Sequence, residues 1–413
     1  LGSNLHKLAY PEEFAKFAAG GRELHESHHH HGNVISLQQR GEYVYTAKGH
    51  EGVEIYDIAN IDNKALAERI LSAPVSKLGQ RFTVKTKDAR WIAAPTTLGV
   101  DPVRKVIPEN EEQPHHLVHG FLYVADAEEG LIMIGAATLL DGDPRNNFLK
   151  KDIVFNPDGA LHGANHVFTA GVYAYVSCDK GLAIIDLSDA TKPKLVRMVP
   201  LTGAGHAALQ FRYLFVCDKE GVQVFNATDL TNPVAVSRIA MKEAKDIYLA
   251  RTHAYVAAGH EGLAIIDIEN PERPGKPDYY TAGGKINDAH AVKVGMTNAS
   301  VFAYIADGHN GLRVLELMAP NRSPDIWGFS PKPRPELIAT YKTKGEMVAL
   351  SKGLDRDRGA DESGNQLVVF GRRGARPFNK QEMEKLYLRG GELYTVTNEP
   401  SVAPVGAPAG GKK

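Results

Sequence analysis

Apolar residues in this chain fall into short runs separated by tight glycine turns. The stretch 254–268, Ala-Tyr-Val-Ala-Ala-Gly-His-Glu-Gly-Leu-Ala-Ile-Ile-Asp-Ile, shows the pattern most clearly. Tyr255 and Val256 suit a half-buried pleated surface, and 263–268 is a short β-branched run, so the stretch predicts two strands. Gly259 and Gly262 bracket the turn, where a positive φ costs little only for glycine. The same pattern recurs at 43–58, 123–135, 175–187, 214–227 and 303–317.

The spacing of the copies sets the architecture. The residues closing the runs are Asp57, Gly135, Asp186, Asn226, Asp267 and Glu316, at intervals of 78, 51, 40, 41 and 49 residues. The first interval is about twice the others, so a degenerate copy is expected inside it, at Phe82-Thr-Val-Lys-Thr and Trp91–Val100. Seven units of about 40–45 residues match the length of a four-stranded propeller blade. Short strands cannot bury both faces alone, and a closed ring of stacked sheets leaves no end sheet exposed. The expected fold is therefore an all-β propeller. Its blades are placed at about 33–75, 80–107, 115–155, 163–200, 204–240, 244–281 and 286–343.

Residues 1–31 precede the ring, with a short helix expected from Pro11 to the Gly20-Gly21 stop and a histidine-rich stretch from His25 to His31. The loop 108–114 is acidic, and 320–335 is a proline-rich insertion in the last repeat. Beyond Tyr341, four strand-like runs at 347–350, 366–370, 385–388 and 392–397 predict a divergent eighth blade or a cover over the ring closure, spanning 344–398. The count is therefore seven or eight, with eight preferred. The tail 399–413 reads as a flexible segment.

Leu182-Ala-Ile-Ile-Asp186 and Leu263-Ala-Ile-Ile-Asp267 resemble the LVIVD repeat. Ala190-Thr-Lys-Pro193, Leu230-Thr-Asn-Pro233 and Asn270-Pro271 with Pro274 resemble the way that repeat leaves its strand. The resemblance covers roughly residues 30–345. It implies a propeller and an exported, periplasmic or extracellular setting, but no particular chemistry.

Composition narrows the function classes. The chain is 43% hydrophobic and 23% charged, with Lys+Arg 48 against Asp+Glu 49. Such a balance argues for neither a nucleic-acid groove nor an anionic membrane surface, and no run reaches the ~18 apolar residues of a membrane helix. The chain starts at Leu1 without an apolar signal region, which reads as a processed protein or a piece of a longer one. Cys178 and Cys217 sit at nearly equivalent places in adjacent repeats. Their registers against Gly181 and Gly221 differ by one residue, which favours two small buried thiols over a disulfide between blades.

The histidines carry the candidate chemistry. The first strand of a propeller blade lines the central channel, and the turn between the second and third strands opens on the same face as its start. First strands are expected to start at His30/His31, His116, His166, His206 and His290, while His50, His260 and His309 tip the turns. Converging imidazoles from strand starts are what a transition metal such as Cu or Zn requires, with His116, His166, His206 and His290 as an inner set. Asp288, Glu51 and Glu261 are the acceptors expected behind them. Inherited turn chemistry is the competing account, because a histidine in a Gly-His-x-Gly turn can simply bond the loop. Asp355, Asp357, Asp361 and Glu362 alternate as Ca²⁺ ligands often do, but the arginines between them favour a solvated turn. Asp141-Gly-Asp143 is a weaker instance.

Two functions follow as expectations. One is an exported protein-binding or scaffold propeller, with a redox partner such as a multihaem cytochrome as its narrower form. The other is a metal-dependent oxidoreductase, because the repeat and its histidines are similar to those of the selenium-binding protein/methanethiol oxidase propellers. That resemblance carries no residue-by-residue match.

Overall fold

The computed structural model describes residues 33–40, 43–57, 83–94, 117–136, 149–296, 301–318, 323 and 330–351, together with short strands between 358 and 393. Several expectations lie outside these residues: the 11–19 helix, the 25–31 histidines, the 108–114 loop, His116, the acidic loops near 141 and 355–362, and the tail from 399.

The described chain forms a ring of six four-stranded antiparallel sheets, each made from one continuous stretch of sequence. Blade 1 holds β1 (Ser36–Arg40), β2 (Tyr43–Ala47), β3 (Val53–Asp57) and β4 (Thr83–Val84). Blade 2 holds β5 (Ala89–Ala93), β6 (Phe121–Asp126), β7 (Gly130–Gly135) and β8 (Lys150–Phe155). Blade 3 holds β9 (His166–Ala170), β10 (Tyr173–Cys178), β11 (Gly181–Asp186) and β12 (Lys194–Pro200). Blade 4 holds β13 (Ala207–Gln210), β14 (Tyr213–Asp218), β15 (Gly221–Asn226) and β16 (Val234–Ala240). Blade 5 holds β17 (Asp246–Ala250), β18 (His253–Ala257), β19 (Leu263–Asp267) and β20 (Asp278–Tyr280). Blade 6 holds β21 (Ala291–Met296), β22 (Val301–Ala306), β23 (Leu312–Met318) and β24 (Glu336–Tyr341).

The expectation of seven or eight blades is thus corrected to six. The hidden copy is two insertions, not a repeat. Thr83-Val84 completes blade 1 after the 58–82 segment, and Trp91 belongs to the first strand of blade 2, whose second strand follows the 95–116 segment. The expected second blade is therefore split, its first part closing blade 1 and its Trp91 strand joining the expected third blade in one sheet. Of the strand-like runs after Tyr341, 347–350 forms no strand. Gln366–Val369 joins a sheet with Arg358–Ala360, Arg372–Arg373 and Arg376–Pro377, and Leu388–Arg389 pairs with Glu392–Leu393. The only helical segments among the described residues are two 3-10 turns, Leu117–Gly120 and Pro157–Gly159.

Burial follows from stacking sheets face to face. The middle strands are buried on both sides, as in β11, while the outer β12 is largely exposed. Five apolar cores lie between successive blades, and each first strand lies beside the next one. Tyr45, Ile55, Ile92 and Leu122 fill the core between blades 1 and 2; Tyr255, Ile265, Val292 and Leu315 fill that between blades 5 and 6. Fully burying one such side chain contributes about 1.5–3 kcal/mol. Cys178 and Cys217 are free, buried thiols within these cores.

Turn chemistry separates the two ends of the ring. At one end, the glycine turn of one blade bridges to the start of the next blade, as Gly49 does to Ala89 and Gly259 to Ala289. Gly259 and Gly262 have φ of +54° and +76°, as their place in the turn requires. At the other end the third strand leaves through successive Asx turns. Asp186 Oδ1 accepts from Ser188 N and Oγ, and Asp189 Oδ1 accepts from Thr191 N and Oγ. Asn226 and Asp229 do the same for Thr228 and Thr231. This is the physical content of the Asp-x-Ser/Thr…Pro pattern.

After β24 a closing segment, 342–351, runs between blade 6 and blade 1. Gly308 and Met347 exchange backbone hydrogen bonds of 3.1 and 3.0 Å, repeating the Gly49–Ala89 and Gly259–Ala289 bridges. Gln39 N donates to Ser351 Oγ at 2.7 Å, which ties the segment to β1.

Candidate functional site

The lead-ins to the first strands align on a recurrent alanine. They read Ala164-Asn165-His166, Ala204-Gly205-His206, Ala244-Lys245-Asp246 and Ala289-His290-Ala291. The backbone confirms this register, because Asn165 N, Gly205 N, Lys245 N and His290 N donate to Ser177 O, Cys217 O, Ala257 O and Ala306 O, each at the end of the second strand of its own blade. His166, His206 and Asp246 are therefore equivalent positions, and His290 falls one residue earlier. Side chains of a strand alternate between faces, so this offset sends His290 to a different set of neighbours.

The equivalent positions form a belt across the blades near the axis. The Trp91 ring lies 4.7 Å from that of His166 and 4.4 Å from that of His206, and the two imidazoles stack at 4.8 Å. His206 Nδ1 lies 2.8 Å from Asp246 Oδ1, and Lys293 Nζ donates to Asp246 Oδ2 at 2.8 Å. The backbone N–H groups of Ile247 and Val292 each donate to the same carboxylate at 2.9 Å. A buried carboxylate is tolerated when its lone pairs are filled in this way. Ser36 serves the same position in blade 1, its Oγ accepting from Ile92 N of blade 2 at 3.3 Å.

The electrostatics follow from burial and partners. Burial works against the charged form of Asp246, but Lys293 and His206 more than offset it and hold the carboxyl well below the usual range. Burial, with His206 beside it, pushes His166 well below the ordinary histidine value, so its ring is neutral. The Nδ1 of His166 has no hydrogen-bond partner among the described residues. Burial raises the Cys217 thiol far above its ordinary range, which makes it unreactive.

Above the belt lies a cavity of about 740 Å³ at the channel mouth. Every blade contributes to its wall: Ile35 from blade 1, Trp91 from blade 2, Asn165 from blade 3, His206 from blade 4, Lys245 from blade 5 and His290 from blade 6. Glu346 of the closing segment completes it. Arg90 at the same mouth pairs with Asp88 at 2.5 Å.

Of the expected site residues, the structure brings His206 and His290 to the mouth and His166 to the buried belt beneath it. His166 and His206 turn ring faces towards each other, whereas a metal is held by in-plane nitrogen lone pairs. His290 Nε2 instead lies 2.9 Å from Asp288 Oδ1, the acceptor expected for it, and 3.6 Å from Glu346 Oε1. His50, His260 and His309 are exposed at their turns around the rim. His50 Nδ1 meets Lys87 O at 2.7 Å and His260 Nδ1 meets Asn287 O at 2.9 Å, each clasping the lead-in of the next blade. Those carbonyls, not Glu51 and Glu261, take up the ring nitrogens; Glu51 lies 3.1 Å from Lys48 and Glu261 3.7 Å from Lys242. Sequence reasoning missed Trp91, Asp246, Lys293 and Glu346. Aligning the repeats on the alanine would have found Asp246, because it stands where blades 3 and 4 carry histidine.

The radial sheets around a lined axis define a β-propeller. Family comparison matches the LVIVD repeat at residues 163–200, 242–280 and 301–321, so the propeller carries LVIVD repeats. The matches fall on blades 3, 5 and 6. A search of curated protein sequences finds no match. Among solved structures, the chain is similar to the computationally designed protein Ika8, at 7% identity and TM-score 0.45 over 82% of this chain and 96% of that one. It is also similar to the propeller domain of Myceliophteria thermophila Cps50 (Swd1), at 11% identity and TM-score 0.45 over the same shares. A third is a putative 6-phosphogluconolactonase from Bacteroides fragilis, at 12% identity and TM-score 0.49, covering 77% of this chain and 86% of that one. No helix among the described residues is long and apolar enough to cross a membrane.

Proposed function

We propose that this propeller is a binding module that seats a protein partner on its histidine-tipped face, with a partner side chain entering the axial mouth. One observation carries the reading: a single cavity draws its wall from all six blades and opens on the face that bears His50, His260 and His309. The polar belt beneath is internally satisfied at Asp246, so it supports the floor of a binding site and leaves no charge there to act on a substrate. Propellers and other repeat folds present such loop-rich faces to partners.

Site-specific photo-crosslinking tests the reading. A crosslinker at position 260 or 309 is expected to capture one discrete protein, while one at Phe211 or Arg251, on hairpins at the opposite end, captures none. Equal capture from both ends, or none from the mouth, removes the proposal. Haem absorbance in the captured species tests the narrower form, a multihaem cytochrome partner, and fractionation of the source cells tests export.

A further inference from the structure

The seam between blade 6 and the closing segment holds a polar cluster at one side of the same mouth, where His290 and Glu346 line the cavity. One donor atom from each of Asp288, His290 and Glu346 lies within 4.8 Å of the other two. Asp288 and His290 sit on the lead-in to β21, and Glu346 sits beside Met347 on the closing segment.

We propose that Asp288, His290 and Glu346 bind one divalent transition-metal ion, for which Zn²⁺ is the probe, and that the ion clips the closing segment onto blade 6. An ion bound at about 2.0–2.2 Å by each ligand places its donors roughly 3–3.6 Å apart. The separations already present, 2.9 Å from His290 to Asp288 and 3.6 Å from His290 to Glu346, fall close to that range. One imidazole and two carboxylates suit a first-row divalent ion, and three protein ligands leave a position open to the cavity for water.

The surroundings hold these side chains in place. Asp307 Oδ1 accepts from the backbone N–H groups of Asn287 and Asp288, at 3.2 and 2.8 Å. The Asp288 carboxylate occupies the space over Gly308, where an added Cβ would lie 1.8 Å from Asp288 Oδ2. Gly308 is also the residue that bridges Met347, so the socket and the seam share one backbone element. Lys245 Nζ lies 3.7 Å from Asp288 Oδ1 and competes with a cation, but it is half-exposed and free to turn away. Two carboxylates against one ammonium still leave the cluster net negative.

The test is calorimetric titration of the full chain with ZnCl₂, alongside amide hydrogen exchange at Gly308 and Met347. One equivalent is expected to bind, with slower exchange at both amides. Glu346→Gln is expected to weaken binding at least tenfold, and Lys245→Met to strengthen it. Glu346 is 43% exposed and its variant is expected to keep the fold, which its melting without metal verifies. A His50→Gln/His260→Gln/His309→Gln variant is expected to retain the equivalent. Binding of less than a tenth of an equivalent, full affinity in Glu346→Gln, or loss of the equivalent in the triple variant would overturn the site. Binding without slowed exchange overturns the clip. His290 and Glu346 also line the mouth of the partner-binding reading, but the zinc titration is run without a partner and the crosslinking without added metal, so failure of one is told apart from failure of the other.

Discussion

Two kinds of junction hold this ring together. Each of the five junctions within the repeat series has a buried apolar core, and the Asp246 carboxylate of blade 5, with every lone pair engaged, adds polar contacts to blades 4 and 6. The sixth, between blade 6 and blade 1, has among the described residues no such core. It relies on the Gly308–Met347 bridge, the Gln39–Ser351 bond and the partly buried Asp288–His290–Glu346 cluster. The contrast teaches that stacking repeats is driven by apolar area, whereas closing them into a ring here falls to polar and backbone contacts. Local opening should therefore begin at the seam, because its hydrogen bonds are backed by the least buried surface.

The largest effect is expected from Asp246→Ala. It leaves Lys293, His206 and two backbone N–H groups without their acceptor and should cost about 3–5 kcal/mol, read by denaturant unfolding. A loss below about 1 kcal/mol would mean that the belt contributes no more than the seam. Gly221→Ala comes next, at about 3 kcal/mol. Its φ is +126°, and an added Cβ would lie 2.2 Å from Ile239 O, a backbone atom that cannot step aside.

Acid should weaken the repeat junctions before it weakens anything through Asp246. His166 is held neutral when folded, so below about pH 6.5 the unfolded chain binds a proton that the folded chain does not. Its contribution is complete above that pH and is lost as the pH falls through it; His253, also depressed by burial, has the same sign. Asp246, whose folded value is lowered, adds a loss only below about pH 4. Melting curves of His166→Gln should show a shallower fall between pH 7 and 5 than the parent. An unchanged slope would place the titrating group elsewhere. The smallest effect is expected at the seam itself. Ser351→Ala removes the acceptor for Gln39 N and should cost about 1 kcal/mol, with faster exchange at that amide and little change in the repeat cores.

What the sequence made legible follows the same division. The strands of blades 3 to 6 could be read from their apolar runs because each repeats within 40–49 residues and its turns use glycine in one way. Blades 1 and 2 misled the count because interval length cannot tell an insertion from a weak repeat; Trp91 carries the same spacing signal either way. The belt was half visible. His166 and His206 stand out as histidines, but Asp246 fills the same position with another residue type, and only the register of the lead-ins reveals the equivalence. Glu346 was invisible because nothing local marks a residue whose partners lie on a different blade.

Each blade is drawn from a single uninterrupted length of chain, and among the described residues no strand is borrowed from the far terminus. A unit built this way can be duplicated, deleted or exchanged in one genetic step without stranding a complementary edge elsewhere. The blade number of such a ring is thus free to drift over evolutionary time, limited only by whether the final gap can still be spanned.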